Sequence, residues 1–242
     1  MNSEIKVRIE KLKSVSRNIA LICFSLRTKF EVIRPLLFNK DFLKQFETPH
    51  QFIGVQTLRN CVTSDIINGL VGISQDTCDK AASFLNVEKC LTDDRIVKFL
   101  LREFLDRPEV NLRFLNDENP ELQNAIAEII KAKKGEKLAD CFGKKLFLIK
   151  TEIKKIKFEK RLKTLRDKSI AHFEIILKNG KHQLHECKGL NFKWIDLEKY
   201  LIKTERISLS IEEIVNKTNY PKDDFIKEYK KISSDFWRIK NA

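Results

Sequence analysis

The segment IKVRIEKLKSVSRNIALICFSL, residues 5–26, decides the fold class. Ile5, Ile9, Leu12, Val15, Ile19, Ile22 and Leu26 recur at steps of three and four. That spacing gathers them on one stripe of an α-helix, whereas a strand would scatter them over both of its faces. The charged residues between them take the opposite side, as on a helix that covers a core. Only 7 Gly and 5 Pro interrupt the 242 residues, so the same spacing runs on through most of the chain. The class is all-α, and the length is ample for a buried core.

Outward from this segment, the first helix is expected over residues 3–38, with Ser3 as its cap and Pro35 as a kink or an end. Asn39 or Asp41 caps a short helix through Phe46, and the Thr-Pro-His run at 48–50 breaks the chain before a third helix from Gln51 to about Ile73. Ile66, Ile67, Leu70, Val71 and Ile73 make that helix a core candidate. Ser74 or Asp76 is expected to open the next short helix, and Thr92-Asp93-Asp94 to cap another that runs to Leu105. Pro120 starts a helix expected to end near Gly135. A long basic segment from Glu136 to about His172 follows, with Gly143 as a weak point. Its stripe of Leu146, Ile149, Ile153 and Ile156 shifts phase to Phe158, Leu162 and Leu165.

Past His172 the period changes. FEIILKNGKHQLHE alternates about Asn179-Gly180, a pair suited to a two-residue hairpin turn. Helical spacing returns over 193–216, and Pro221 precedes a last helix with Phe225, Tyr229, Ile232, Phe236 and Trp237. With no repeat and no low-complexity linker, residues 1–242 read as one domain, with a small hairpin insertion at about 173–190 and C-terminal helices over 191–242.

The formal net charge of +13 favours a polyanionic partner, RNA or DNA first. A Lys-, Ile-, Asn- and Phe-rich composition can also reflect a biased genome. The distribution argues against that: residues 131–168 hold 15 Lys+Arg against 5 Asp+Glu, an excess of 10. A helix so loaded repels itself unless it faces water or phosphates, and each neutralised phosphate adds salt-dependent affinity. A solvated, ligand-free helix face stands as the alternative.

The longest apolar run, residues 19–24, is far short of the ~20 residues that cross a bilayer. The N-terminus has no secretory pattern, so a cytoplasmic location is expected. Cys23, Cys61, Cys78, Cys90, Cys141 and Cys187 show no close pairing, and are expected to be reduced, buried thiols. His182, His185 and Cys187 bring three possible zinc ligands together, but no fourth ligand is evident and no metal is expected. Phosphate-binding Gly-rich loops and hydrolase nucleophile elbows are absent, and no cofactor is expected.

The basic segment closes on RDKSIAH, residues 166–172. Metal-free RNA cleavage needs a base for the ribose 2′-OH, and an imidazole with a pKa of ~6.5 is suited to it, which makes His172 the candidate. Negative charge builds on the phosphorus during attack, and the donor fork of a guanidinium is suited to stabilise it, which makes Arg166 the candidate. Asp167 and Lys168 are supporting residues: Asp167 orients Arg166, Lys168 or His172, and Lys168, four positions before His172, holds RNA backbone. Lys154, Lys157, Lys160, Arg161 and Lys163 are the RNA-binding candidates on the preceding stretch. At ~100° per residue, six steps leave Arg166 and His172 about 120° apart on an ideal helix. One straight helix does not aim both at one phosphate. Either it unwinds near Ser169 to Ala171, or the site combines residues from two chains.

Arg166 followed after a short spacer by His172, at the end of a long helix in an all-α chain, resembles the signature of the HEPN superfamily. The fuller string L-R-D-K-x-x-A-H is similar to its abortive-infection, AbiU-type branch, found in phage-defence and toxin systems. The similarity extends weakly upstream through FNKDFLKQFETPHQF and LRNCVTSDIINGLVGISQD, and covers roughly residues 20 to 215. The resemblance implies a HEPN-like helical bundle with additional short helices, and a metal-independent endoribonuclease that leaves 2′,3′-cyclic phosphate and 5′-hydroxyl ends. It also implies a homodimer whose two motifs line one cleft, Ala171 permitting close approach. Some toxins of the superfamily carry Tyr two places after the motif His, where nucleotides are attached; Glu174 stands there, so that control is not expected, and any antitoxin is a separate protein. The rival reading is a non-catalytic nucleic-acid- or protein-binding module in which RDKSIAH is structural.

Overall fold

The computed structural model describes residues 3–46, 48–106, 120–157, 160–167, 175–178, 181–184, 193–218 and 222–237. The described helices are α1 (Ser3–Phe38), α2 (Lys40–Leu43), α3 (Pro49–Gln75), α4 (Phe84–Leu91), α5 (Asp94–Leu105), α6 (Pro120–Lys157), α7 (Lys160–Leu165), α8 (Trp194–Val215) and α9 (Lys222–Trp237). Between α7 and α8, β1 (Ile175–Lys178) and β2 (Lys181–Leu184) pair antiparallel, Ile175 opposite Leu184 and Lys178 opposite Lys181. Asn179 and Gly180 lie outside the described residues. The architecture is helical.

α1 is the central rod, packed along α8, α3 and α9. Its stripe behaves as the spacing requires: Ile9, Leu12, Ile19 and Leu26 are buried, and Ile5, Val15 and Ile22 pack against the same core. α3 contributes Ile66, Ile67, Leu70, Val71 and Ile73, all buried. α5 and α6 meet through Phe104 and Phe142, whose ring centroids are 5.4 Å apart in an edge-on contact.

Several boundaries differ from those expected of the sequence, each for a local reason. Pro35 does not end α1, which continues to Phe38. The missing N–H lies one turn from the helix end, where Leu36 is buried and Asn39 N–H still donates to the Pro35 carbonyl at 3.0 Å. Asn39 caps α2, accepting from Phe42 N at 2.9 Å, but α2 closes at Leu43 rather than Phe46. The Thr-Pro-His run separates α2 from α3 as expected, but α3 already begins at Pro49 rather than at Gln51. Thr48 and Gln51 exchange side-chain and backbone hydrogen bonds, and Pro49 occupies the first turn, where its absent N–H costs nothing. Ser83, not Ser74 or Asp76, caps α4. Ser74 lies inside α3 and donates to the Leu70 carbonyl, and Asp76 ends that helix, accepting from Cys78 N at 2.8 Å. Asp93 caps α5 as expected, accepting from Arg95 N at 3.0 Å.

The largest revision concerns the basic segment. One helix, α6, runs through both Gly135 and Gly143 to Lys157, α7 begins at Lys160, and residues 158 and 159 lie outside the described residues. A helical glycine costs about 1 kcal/mol relative to Ala, too little to divide a helix of this length. Ile149, Ile153 and Ile156 are buried on α6, and Leu162 is buried on α7.

The expectation of buried cysteines holds for Cys23; Cys61 and Cys78 are exposed, Cys90 and Cys141 are half-buried, and all five are free thiols. Cys187 lies outside the described residues. On α9 the buried face is Tyr229 and Ser233, with Trp237 donating its indole N–H to the Val32 carbonyl at 2.6 Å, while Ile232 and Phe236 are exposed. No described helix is long and apolar enough to cross a membrane.

Candidate nucleic-acid interface and motif

α6 and α7 present their charges because their apolar stripes are anchored. With Ile149, Ile153 and Ile156 turned inward, Lys154 is left on the exposed side, and Leu162 likewise leaves Lys163 exposed. The side chains of Lys157, Lys160 and Arg161 lie outside the described set. Ion pairs remove part of the charge excess. Lys144 meets Asp140 at 2.5 Å, Lys145 pairs with Glu213 of α8, and Lys155 meets Glu152 at 2.7 Å.

Glu152 is a residue of this surface that the sequence does not announce. It sits buried within the basic stretch, between Lys155 and Lys203 of α8 at 3.3 Å. The hydrogen bond from Lys155 first, then that from Lys203, holds its carboxyl below the ordinary range against the opposing effect of desolvation. The Lys155 partnership follows from a three-residue spacing visible in the sequence. The one with Lys203 is tertiary and has no local signal.

At the end of α7 the backbone changes winding. α-helical geometry stops at Leu165, and Arg166 and Asp167 adopt the wider π turn. At Arg166 and Asp167 the winding therefore departs from the ideal 100° per residue. Leu162 is buried and Leu165 packs against the core, so Arg166 is carried on a seated turn rather than a free end. Its Nε donates to Asp167 Oδ1 at 2.7 Å, and Nη2 lies 2.5 Å from the same oxygen. Both side chains remain about a third exposed. The carboxylate thus takes one edge of the guanidinium, and the rest of the donor fork, the kind of fork that suits a phosphate, meets no other acceptor among the described residues. Of the three partners expected for Asp167, Arg166 is the one it holds among the described residues. Lys168 and His172 lie outside them, as do His185 and Cys187 of the candidate zinc set. No cluster of metal-binding side chains occurs among the described residues.

The family model AbiU2, one of the HEPN group, matches residues 89–236, more than half of the chain. The chain belongs to this family. The AbiU2 match spans α5, α6, α7, α8 and nearly all of α9, and includes RDKSIAH. The upstream stretches that also resemble the branch, residues 38–52 and 58–76, lie outside it. No curated protein and no solved structure matches the chain.

Proposed function

We propose that this AbiU2 protein is a metal-independent endoribonuclease, a toxin or phage-defence effector that acts in the cytoplasm on RNA. Arg166 and His172 are the catalytic pair. His172 takes the proton from the 2′-OH, the 2′ oxygen attacks the adjacent phosphorus, and the bond to the 5′ oxygen of the next nucleotide breaks, that oxygen taking a proton from water to leave as the hydroxyl. Arg166 stabilises the charge that develops on the phosphoryl oxygens. The products are a 2′,3′-cyclic phosphate and a 5′-hydroxyl. Asp167 positions Arg166, Lys168 holds the backbone beside the scissile bond, and Lys154, Lys157, Lys160, Arg161 and Lys163 track the flanking phosphates. The active form is a homodimer with both motifs at one cleft, and a separate antitoxin protein silences it.

One observation supports this reading most directly: a guanidinium in the family motif sits on an anchored π turn, restrained by a carboxylate along one edge and with no other partner among the described residues. A helix-end Arg whose only duty was solvation would need no such restraint.

The test is cleavage of a panel of RNAs in EDTA by wild type, Arg166→Ala and His172→Ala, with the product ends identified. Cyclic-phosphate ends in the wild type, lost in both variants while RNA affinity persists, support the reading. A folded dimer that binds RNA but cuts none of the panel overturns it in favour of a binding module.

A further inference from the structure

Among the described arginines that are not exposed, Arg59 is the exception. Arg8 holds Asp93, Arg27 holds Glu31, Arg34 holds Glu31 and Glu198, and Arg166 holds Asp167. Arg59, half-buried on α3, meets no carboxylate among the described residues. Its guanidinium lies over the indole of Trp194, Cζ 5.9 Å from the ring centroid, and its Nε is buried with no hydrogen-bond partner among the described residues. The ring face attracts the cation, but an unsatisfied donor on a partly desolvated charge works against the fold. Packing alone therefore does not account for an arginine at this position.

The helices bring Arg59 to the end of the molecule that carries the motif. Lys145 pairs with Glu213 and Glu152 with Lys203, so α6 and α8 run antiparallel. α7 follows α6 toward the end of α8 at which Trp194 stands, and α7 is in contact with α3. Val62, three residues after Arg59 and on the same face of α3, packs against the core cluster that also takes Trp194 and Leu165. Arg166 is the residue after Leu165. Arg59 itself precedes the AbiU2 match, which begins at residue 89.

We propose that Arg59 is a further substrate-binding residue, holding a phosphate of the RNA strand that flanks the one contacted by Arg166, with Trp194 backing the guanidinium. The inference rests on the reading of RDKSIAH as a ribonuclease motif. Contact with a ring face engages the π surface of a guanidinium and consumes none of its N–H donors. With Nε buried, the two Nη groups are the donors that meet the phosphate, and the polyanion supplies the countercharge that the other half-buried arginines take from the chain itself.

The probe is a single-stranded RNA with 2′-O-methyl riboses throughout, which has no 2′-OH to attack, so binding is read apart from cleavage. By fluorescence anisotropy across a salt series, Arg59→Met should bind roughly tenfold more weakly, the scale of one hydrogen bond from a charged donor. Its slope of log affinity against log salt should fall by about one unit, and Arg59→Lys, which keeps the charge, should keep the slope. On a cleavable RNA, Arg59→Met should raise KM by a similar factor and leave kcat within about twofold. Thermal unfolding should find Arg59→Met no less stable than the wild type, because an unpaired buried donor has gone. A loss of stability with an unchanged salt slope marks a structural arginine and overturns the proposal, as does a wild type that does not bind the probe. The two readings fail separately. RNA cleavage that Arg166→Ala abolishes, with Arg59→Met equal to the wild type in binding and KM, refutes the role of Arg59 alone. Weakened probe binding by Arg59→Met, with no RNA cut by the wild type, upholds Arg59 as an RNA contact and refutes the ribonuclease.

Discussion

Gly69→Ala measures how tightly α1 and α3 are held together. A Cβ built on Gly69 falls 2.7 Å from Leu26 Cδ2, 3.0 Å from Cδ1 and 3.3 Å from Cγ. The whole isobutyl branch must move, and Leu26 is only 3% exposed, so there is little space to receive it. Overpacking of this kind costs about 1–3 kcal/mol, and replacing a helical Gly with Ala returns about 1 kcal/mol. The net expectation is a destabilisation between zero and about 2 kcal/mol. Gly72, one turn along the same helix, has no atom within 4 Å of its built Cβ, so Gly72→Ala carries the propensity gain alone. The difference between the two variants isolates the overlap at about 1–3 kcal/mol. Urea unfolding followed by far-UV circular dichroism gives both values, and a Leu26→Val background should shrink the Gly69 penalty. Equal stabilisation by Gly69→Ala and Gly72→Ala, with no coupling to Leu26, would refute the close approach.

Other expectations concern charge and chemistry. Asp167→Asn should leave RNA affinity within about twofold and lower the cleavage rate roughly ten- to a hundredfold, because a freed Arg166 is misplaced in the transition state rather than absent from the complex; a change in affinity alone would speak against a positioning role. Lys154→Glu with Lys163→Glu should weaken RNA binding and flatten its salt dependence by about one unit of slope for each phosphate no longer neutralised, measured by fluorescence anisotropy across a salt series. Burial pushes the Cys23 thiol up to about 12, so in the folded protein Cys61 and Cys78 should react with a thiol reagent at mildly alkaline pH while Cys23 reacts only on unfolding. Asp93 is held well below its ordinary 3.8, by the Arg95 side chain first, then Arg95 backbone and Arg8. Its contribution to stability is complete above that ordinary value and declines as the pH falls toward the lower folded value. Asp93→Asn should therefore flatten the acid side of the stability profile measured by thermal unfolding.

Periodicity locates most of the helices because packing on a single core leaves its spacing in the sequence. Spacing alone assigns Ile9, Leu12, Ile19 and Leu26 to the core, and Ile66, Ile67, Leu70 and Val71 likewise. Boundaries are less legible where one residue type serves opposite purposes. Pro49 reads as a breaker and acts as a starter, and Gly135 reads as an end and Gly143 as a weak point, yet both lie inside α6. Whether a glycine ends a helix depends on the packing gained by continuing, which is set by α5 and α8 rather than by its neighbours in sequence.

The motif is visible for a comparable reason. RDKSIAH sets Arg166 beside Asp167, and adjacency alone brings the carboxylate within reach of the guanidinium. The helical class, the core stripes, the local concentration of charge and the family motif all depend on residues near one another along the chain, and all can be read from the amino-acid order. Which charges remain free is settled only by packing. Glu152 receives Lys203 and Lys145 meets Glu213 across helices distant in sequence. Electrostatic partnership depends on distance in space, and for residues on different helices that distance exists only once the helices have packed.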